Sequence, residues 1–339
     1  MSSRRWSVVD LMTSARLERL GGRLPQPLKP PLRRARDVVT GRWPRPLAYW
    51  RLGRAPEHPV TYTDKVRWRM AHDRRPFLTT FADKVAVRDH VAERIGAEHL
   101  TTLLAVHARS ADVDWSALPR EYVCKASHGS GAVVLVRDAA PEGSQLPSSA
   151  RFVGWDRFDV RPGPTVAPRL WSLIDHWMSM NFEYGPGRLP EWAYRDVPPQ
   201  VMFEELLAGP DGGVPSDYKF YTFGGVVRLG QVDTDRFGDH HRAYFRRDGS
   251  PSEAEPDIGR PDELPELPAS WGRMVELAEE IARGVDFVRV DLYDLGDRIV
   301  FGELTNYPGA GSSTWSPPSV EVELGSYWEL PDLAPDERA

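Results

Sequence analysis

The stretch Val288–Gly311, VRVDLYDLGDRIVFGELTNYPGAG, contains the pattern that decides the fold. Its valines and leucine alternate with Arg289, Asp291 and Tyr293, which predicts a half-buried strand. A polar turn at residues 294–297 leads into a second apolar strand, and a Pro/Gly-rich loop follows. The segment therefore predicts a β-hairpin with one buried face and one charged face.

The charged face of this hairpin suits phosphate chemistry. Arg289 and Asp291 lie on one strand face, and Glu303 arrives from the partner strand, so the two carboxylates can converge across the pair. Such carboxylates suit an octahedral Mg²⁺ that also takes oxygens from ATP phosphates, and the arginine suits a charged transition state. An exposed Asp and Glu on a surface hairpin is the structural alternative.

A second nucleotide signature lies in Tyr122–Val136, YVCKASHGSGAVVLV. It predicts a strand that ends in Lys125, a loop with Gly129 and Gly131, and a second strand. Loop glycines let backbone N–H groups approach phosphate oxygens, and the lysine adds a point charge. A Walker A loop is excluded because G-x-x-x-x-G-K-[ST] does not occur. A hairpin turn with an incidental lysine is the alternative, and His128 reads either as a phosphate contact or as a polar loop residue.

The third element is Val201–Phe223, VMFEELLAGPDGGVPSDYKFYTF. A short apolar strand runs into Glu204 and Glu205, and a second strand opens after a Gly/Pro/Asp loop. The first strand end can offer backbone groups to an adenine edge and a carboxylate to ribose hydroxyls, while Lys219 on the second strand can reach the phosphates.

In this order the segments resemble the ATP-grasp superfamily, and they are similar to its TupA-like branch, which is named for teichuronopeptide biosynthesis. The resemblance covers most of the chain, from about Thr61 to Trp328. The matching stretches are FADKVAVRDHV (81–91), LP (118–119), YVCKASHGSG (122–131), EWAY (191–194), DYKFYTFGG (217–225), DRF (235–237), FVRVDLY (287–293) and FGELT (301–305).

The resemblance implies an α/β (α+β) ATP-grasp fold, in which two lobes, each with an antiparallel sheet and helices, clamp ATP between them. The implied divisions are a basic, Pro-rich extension (1–58), a helical lead-in (59–115), a lobe with a Gly-rich flap (116–203), a lobe with the metal-binding hairpin (204–330) and a tail (331–339).

The resemblance also implies a set of site residues. ATP phosphates would be held by Lys125, His128, Gly129, Ser130, Gly131 and Lys219. The adenosine pocket would be lined by Glu204 and Glu205. Mg²⁺ or Mn²⁺ would be held by Asp291, Glu303 and Thr305, and the catalytic arginines would be Arg289 and Arg236. One departure concerns the metal, because many ATP-grasp enzymes carry Asn where this chain has Thr305.

The activity implied is that of an ADP-forming carboxylate–amine ligase with an acyl-phosphate intermediate. Its substrates would be a small-molecule or glycan-linked carboxylate and an amine, in the biosynthesis of a cell-surface glycan, a peptidyl polymer or a peptide natural product. Two alternatives remain open: an ATP-dependent phosphotransferase that acts on a sugar or glycan, and a non-catalytic ATP-binding scaffold of polysaccharide assembly.

Substrate contacts are predicted in Gln231–Arg247, QVDTDRFGDHHRAYFRR, which is rich in arginine and histidine. Guanidinium groups bind carboxylates and phosphates bidentately, and Arg236 is the favoured contact. Zinc is not indicated, because the adjacent histidines lack metal-site spacing. A solvated basic loop is the structural alternative.

Composition sets limits on location. The single cysteine, Cys124, leaves no disulfide framework and predicts a cytoplasmic protein. Neither a membrane-spanning run nor a signal peptide is indicated. Residues 1–54 carry a net charge of +10, whereas the whole chain carries −6. This basic arm could lie on the inner membrane surface, grip an anionic substrate or pack on the fold. No nucleic-acid-reading motif accompanies it.

The periodicity elsewhere predicts four helices, Asp64–Met70, Phe81–Arg94, Leu170–Phe182 and Trp271–Arg283. Thr80 is the predicted N-cap of the second helix. Lys84 is assigned to its solvated face. From Pro317 onward the chain reads as a tail.

Overall fold

The computed structural model describes residues 56–339 except 152, 184–189, 211, 235–239, 257–258, 260 and 262. The basic N-terminal arm and Arg236 therefore lie outside the described residues.

Helices and strands follow one another along the described chain in a mixed order. The helices are α1 (Tyr62–His72), α2 (Phe77–Ala82), α3 (Val87–Ile95), α4 (Val166–Met178), α5 (Trp271–Ile281) and α6 (Pro318–Ser326). The strands are β1 (Leu103–His107), β2 (Tyr122–Ala126), β3 (Val133–Val136), β4 (Arg157–Val160), β5 (Val201–Glu204), β6 (Asp217–Phe223), β7 (Val226–Thr234), β8 (His241–Phe245), β9 (Phe287–Asp294) and β10 (Ile299–Thr305).

The strands form two five-stranded sheets. The first has the order β1-β5-β2-β3-β4, and the second has the order β10-β9-β6-β7-β8. Neighbouring strands are antiparallel except for β3 and β4, which run parallel. The prediction of two lobes built on antiparallel sheets is thus confirmed, with one parallel pair at the edge of the first sheet.

Each sheet buries one face against a helix. Helix α4 packs on the first sheet through residues such as Leu170, Ile174 and Trp177. Helix α5 packs on the second sheet through Met274 and Ile281, which are fully buried. The other face of the second sheet is partly covered by a third apolar cluster and partly lines a cavity.

A third apolar cluster joins the chain ends of the described part. Helices α1 and α6 contribute Tyr62 and Leu324 to it, and Trp328 stacks on Phe287 with ring centroids 4.4 Å apart. The prediction of a tail from Pro317 is wrong, because α6 and Trp328 belong to this core.

Two predicted helices are confirmed. Helix α1 includes the predicted Asp64–Met70, and the Thr61 side chain caps it by accepting a hydrogen bond from the Asp64 N–H. Helix α5 begins at Trp271 as predicted and ends two residues early. Helix α4 begins and ends four residues before the predicted helix Leu170–Phe182. Pro168 fits in its first turn, because the N–H groups there have no intrahelical partner.

The predicted helix Phe81–Arg94 is wrong, because residues 83–86 separate α2 from α3. The Asp83 side chain accepts a hydrogen bond from the Val85 N–H at 2.9 Å, which turns the chain locally. The Lys84 N–H donates to Ser127 O in the first lobe. Thr80 lies inside α2 and does not act as an N-cap.

None of the helices in the described part has the length and apolarity needed to cross a membrane.

Candidate active site

A cavity of about 440 Å³ lies between the two sheets and takes its lining from both. Its volume falls within the usual range of small-molecule pockets, roughly 300–1,000 Å³. One end is apolar and combines first-sheet side chains with the loop after β5 and with one residue of β9. The residues that form this end are Val123, Val133, Leu135, Leu206, Leu207, Val214, Pro215 and Tyr293.

The second sheet forms a charged floor whose order follows from strand register. Tyr244 pairs with Gln231, Gln231 with Lys219, Lys219 with Asp291, and Asp291 with Glu303. All five residues line the cavity. Directly paired residues point to the same face of a sheet, so this row crosses all five strands on the face opposite α5.

The meeting of Asp291 and Glu303 depends on a β-bulge. Phe301 pairs with Leu292 on the core face, and simple alternation would place Glu303 on that same face. The register shifts by one residue at Gly302, so that Glu303 faces Asp291 instead. A bulge of this kind re-aims the side chains that follow it.

In this structure the Asp291 carboxylate is neutralised by two cations. Lys219 Nζ lies 2.7 Å from Asp291 Oδ2, and Arg289 donates two hydrogen bonds of 2.7 Å to the same carboxylate. Lys219 also contacts Asp217, and Arg289 donates to Thr305 Oγ1 at 2.9 Å. Burial opposes the charge of Arg289, but Asp291 outweighs it and raises the Arg289 pKa.

Glu303 is held differently from Asp291. Among the described residues its carboxylate has no hydrogen-bond or ion-pair partner, although it lines the cavity. Burial would raise the Glu303 pKa, but the positive charges of Lys84, Arg289 and Lys219 lower it below its ordinary value. The carboxylate is therefore ionised at neutral pH.

Lys125 brings a positive charge from the first sheet. Its Nζ lies 2.6 Å from Glu204 Oε2, and Arg88 Nη1 lies 3.1 Å from Glu204 Oε1. Burial would raise the Glu204 pKa, but Lys125, Thr101 and Arg88 lower it. Lys125 lines the cavity and Glu204 does not, so Glu204 orients the lysine in place of its predicted contact with adenosine.

In the glycine loop between β2 and β3, some residues line the cavity and others pack beneath it. Ser130 and Gly131 line the cavity. A Cβ on Gly131, which has a φ of +97°, would lie 2.4 Å from Trp155 O, and a Cβ on Gly129 would lie 2.2 Å from the Trp155 ring. Trp155 therefore requires glycine at both positions for this loop to pack closely.

His128 supports this loop from beneath. The residue is 2% exposed, and its Nε2 donates a 3.0 Å hydrogen bond to Trp177 O in α4. Burial lowers the His128 pKa, so the ring is neutral. The structure thus places His128 in packing contacts outside the cavity lining, away from its predicted role at a phosphate.

Glu205 also lies outside the cavity lining. Its Oε1 accepts hydrogen bonds from the Thr102 N–H at 2.8 Å and from Arg298 at 2.7 Å. It thereby ties the first sheet to the β9–β10 turn. The next residues, Leu206 and Leu207, line the apolar end of the cavity where Glu204 and Glu205 were predicted.

Lys84 is a site residue that sequence reasoning missed. Its Nζ contacts the carbonyl of Gly129, and its side chain lines the same cavity as Lys125 and Glu303. Burial lowers the Lys84 pKa, and the charge of Glu303 offsets part of this effect. The assignment of Lys84 to a solvated helix face is therefore wrong. Lys84 lies in FADKVAVRDHV (81–91), one of the stretches that resemble the family, and this match could have indicated that Lys84 is a site residue.

A divalent cation fits the paired carboxylates on chemical grounds. Asp291 and Glu303 supply oxygen ligands on adjacent strands, and a hard cation would replace Lys219 as counter-charge for Asp291 while Arg289 keeps its contact with that carboxylate. No group of three or more His, Cys, Asp or Glu side chains with metal-site geometry occurs in the residues that the structure describes. Two carboxylates alone leave room for phosphate and water oxygens in the coordination sphere.

Comparison with protein families agrees with this arrangement. A family profile described as TupA-like ATPgrasp matches residues 64–145 and 156–329, which is most of the chain. The chain belongs to the TupA-like ATP-grasp family. The family resemblance and the ATP-grasp fold predicted from the sequence are both confirmed.

Solved structures also resemble this TupA-like protein. D-alanine–D-alanine ligase from Bacillus anthracis is 14% identical with a TM-score of 0.38, over 71% of this chain and 61% of that one. The corresponding enzyme from Helicobacter pylori is 12% identical with a TM-score of 0.37, over 75% and 60%. ATP-grasp ligase PsnB complexed with a minimal precursor is 10% identical with a TM-score of 0.33, over 69% and 55%.

The chain thus spans between 55% and 61% of the length of these three structures. A comparison with curated protein sequences gave no match.

Proposed function

We propose that this TupA-like protein is an ADP-forming carboxylate–amine ligase that binds Mg·ATP between its two sheets. The observation that carries the proposal is the convergence of charges in one cavity. Lys125 approaches from the first lobe and Lys84 from the segment between α2 and α3, while Lys219, Asp291 and Glu303 lie on the second sheet. The lysines can bind the phosphates of a triphosphate, and the two carboxylates can bind its metal ion.

In the proposed complex, the nucleotide follows the polarity of the cavity. The adenine occupies the apolar end beside Leu206 and Leu207, and the phosphates lie among the three lysines. Asp291 and Glu303 hold Mg²⁺ or Mn²⁺, which neutralises phosphate charge when it is bound. Ser130 and Gly131 cover the phosphates through the loop between β2 and β3.

The proposed reaction has two steps. An oxygen of the substrate carboxylate attacks the γ-phosphorus, the bond to the β-phosphate oxygen breaks, and ADP leaves as an acyl phosphate forms. The amine then attacks the acyl carbon, the C–O bond to phosphate breaks, and the ammonium loses a proton as the amide forms. In both steps the protein positions the reactants and stabilises the charge on the phosphoryl oxygens. Neither step requires a nucleophilic side chain.

The residues of this chain contribute fixed charge. Arg289 is held by Asp291 and Thr305, so its guanidinium is oriented before a substrate arrives. Such preorganised charge stabilises a transferring phosphoryl group most where water is excluded. Lys219 can exchange its contact with Asp291 for a contact with phosphate when a cation takes the carboxylate.

We also propose the substrates, the pathway and the location of this protein. The substrates are a small-molecule or glycan-linked carboxylate and an amine, in the assembly of a cell-surface glycan, a peptidyl polymer or a peptide natural product. The protein works in the cytoplasm, with its basic residues 1–58 at the inner membrane surface. Arg236 and Thr305 keep their predicted roles as a catalytic residue and a metal ligand.

An assay with hydroxylamine as the amine tests this function. The protein is incubated with Mg·ATP, hydroxylamine and a panel of carboxylic acids and sugars, and ADP, hydroxamate, phosphorylated sugar and bound ATP are measured. Carboxylate-dependent release of ADP with an equal amount of hydroxamate is the expected result. ADP formed together with a phosphorylated sugar and no hydroxamate would indicate a phosphotransferase. Bound ATP without turnover on any substrate would favour a scaffold.

A further inference from the structure

The end of the cavity formed by β7 and β8 has no role in the proposed binding of ATP. Strand register pairs Arg242 with Asp233, Asp233 with Asp217, and Asp217 with Tyr293. All four residues line the cavity. Arg242 therefore lies on the cavity floor at the opposite edge of the sheet from Glu303.

Arg242 is fixed in place by a chain of buried hydrogen bonds. Its Nε donates to Asp233 Oδ1 at 2.7 Å, and Gln231 Nε2 donates to Asp233 Oδ2 at 2.9 Å. The Tyr221 hydroxyl donates to Gln231 at 2.9 Å, and Tyr221 pairs with Arg289 across β6 and β9. The chain thus links Arg242 to the strand that carries the proposed catalytic arginine.

The guanidinium is the group of this pair that a ligand would meet. The Asp233 side chain is 1% exposed, whereas the Arg242 side chain is 19% exposed. His240 Nε2 also lies 3.4 Å from Asp233 Oδ1, so the carboxylate is surrounded by its own partners. Burial would raise the Asp233 pKa, but Arg242 lowers it, and the pair remains charged at neutral pH.

The width of the sheet separates Arg242 from the proposed catalytic arginine. Strand β8 is three strand spacings from β9, which places the two backbones about 14 Å apart. The carboxylate that accepts the phosphoryl group must lie near Arg289 and the metal-binding pair. A carboxylate bound by Arg242 would therefore be a different group, on a substrate that extends toward β8.

We propose that Arg242 is a specificity residue that binds a carboxylate of a substrate other than the one being phosphorylated, and that Asp233 is its positioning residue. The assignment rests on the proposed ligase function. Asp233 binds the Nε and Nη2 edge of this guanidinium, and a charged guanidinium held in one orientation recognises a carboxylate. That carboxylate belongs either to the amine substrate, as in an amino acid, or to the far end of a dicarboxylic acyl donor.

Calorimetric titration of the protein with bound Mg·AMP-PNP tests the assignment. The probes are amino acids and short dicarboxylates, each compared with the amide in which the proposed Arg242-binding carboxylate is replaced. We expect at least one acid to bind about 10- to 100-fold more tightly than its amide, as for a charged hydrogen-bonded pair. An amino acid as the selective probe would assign the group to the amine substrate, and a dicarboxylate would assign it to the acyl donor.

Variants separate this role from a structural one. Arg242→Gln should abolish the preference for acid over amide while AMP-PNP affinity stays near wild type, and Arg242→Lys should restore only part of it. The double variant Asp233→Asn/Arg242→Gln, which buries no unpaired charge, should behave as Arg242→Gln does. Arg247→Gln, an exposed arginine paired with Glu279, is the matched control and should keep the full preference.

Two results would overturn the assignment. One is binding of acids and amides with equal affinity, or of neither, by wild-type protein that holds AMP-PNP. The other is an acid preference that survives in the Arg242→Gln and double variants. Failure of the protein to bind AMP-PNP would instead contradict the proposed function, and acid selectivity that depends on Arg242 would still be measurable in that case.

Discussion

Asp291 and Glu303 face each other across β9 and β10 because Gly302 is an extra residue in β10. Without the bulge, Glu303 would share the core face with Phe301. A Cβ on Gly302 would lie 2.9 Å from the Tyr293 ring and 3.1 Å from Asp291 O, so the bulge also requires a small residue. The proposed metal site therefore depends on this glycine as much as on the two carboxylates.

Gly302→Val should remove the Mg²⁺-dependent part of ATP binding. A side chain at position 302 meets the Tyr293 ring and Asp291 O, and regular pairing without the bulge turns Glu303 toward the core, so the variant should match Glu303→Gln in titrations with and without Mg²⁺. Thermal unfolding of both variants checks that they are folded. A folded Gly302→Val variant with wild-type Mg²⁺ dependence would show that the bulge does not create the site.

Lys84→Met should weaken ATP binding by about tenfold or more, because a charged hydrogen bond contributes roughly 1.5–3 kcal/mol. Methionine keeps most of the side-chain volume and removes only the charge. Equilibrium titration with Mg·ATP measures the change. Arg273→Gln, on the exposed face of α5, is the control and should leave the affinity unchanged. Equal affinity in the Lys84 variant would remove Lys84 from the site.

Mn²⁺ should bind weakly to the protein when nucleotide is absent. Asp291 is already neutralised by Lys219 and Arg289, and a cation must displace Lys219. Lys219→Met should therefore strengthen nucleotide-free Mn²⁺ binding, as measured by the loss of free Mn²⁺ signal in electron paramagnetic resonance. The double variant Lys219→Met/Asp291→Asn should lose that gain. Tight Mn²⁺ binding by the nucleotide-free wild type would contradict this account.

Asp286→Asn should destabilise the fold by roughly 1.5–3 kcal/mol, the contribution of a hydrogen bond to a charged group, because buried Arg69 loses its nearest carboxylate and keeps Asp73, whose Oδ2 lies 3.6 Å from its Nε. Arg69 Nη2 lies 2.5 Å from Asp286 Oδ2, and its side chain is fully buried over the Trp328 ring. Urea unfolding measures the change. Asp138→Asn, in an exposed pair with Arg120, is the control and should have little effect.

The same aspartate should contribute to the pH dependence of stability. Burial would raise the Asp286 pKa, but Arg69 and Arg75 lower it. A carboxyl with a lowered folded-state pKa stabilises the fold above its unfolded pKa, near 3.9 for Asp, and the effect is lost as pH falls through the folded value. The free energy of unfolding should thus fall less steeply below about pH 4 in Asp286→Asn than in wild type.

The hairpin and the second sheet were predictable because their signal is local. The alternating apolar residues of Val288–Leu292 predicted the buried face of the strand. The polar residues between them, Arg289 and Asp291, were therefore predicted on the other face. The approach of Glu303 was also predicted, but its cause was not, because alternation from Phe301 favours the wrong face. A glycine inside a strand indicates a bulge, and Gly302 was the available signal.

The misplaced residues depend on long-range contacts. The break between α2 and α3 rests partly on a hydrogen bond from Lys84 to Ser127, 43 residues away, which no local period encodes. His128 and Glu204 have residue types that suit phosphate or ribose, but Trp177 and Lys125 respectively bind them. Helix α6 had a short signal in Val320 and Leu324, four residues apart and both buried, after two prolines that suit a helix start.

Calorimetric titration of the full chain with ATP, in the presence and absence of Mg²⁺, tests the central claim most directly. The proposed site predicts one ATP per chain, tighter binding with Mg²⁺, and loss of that binding in both Lys125→Ala and Glu303→Gln. Those two residues approach from different lobes, so their joint effect requires a nucleotide between the sheets. Absence of binding by folded wild-type protein at millimolar ATP, or binding that neither variant changes, would contradict the claim.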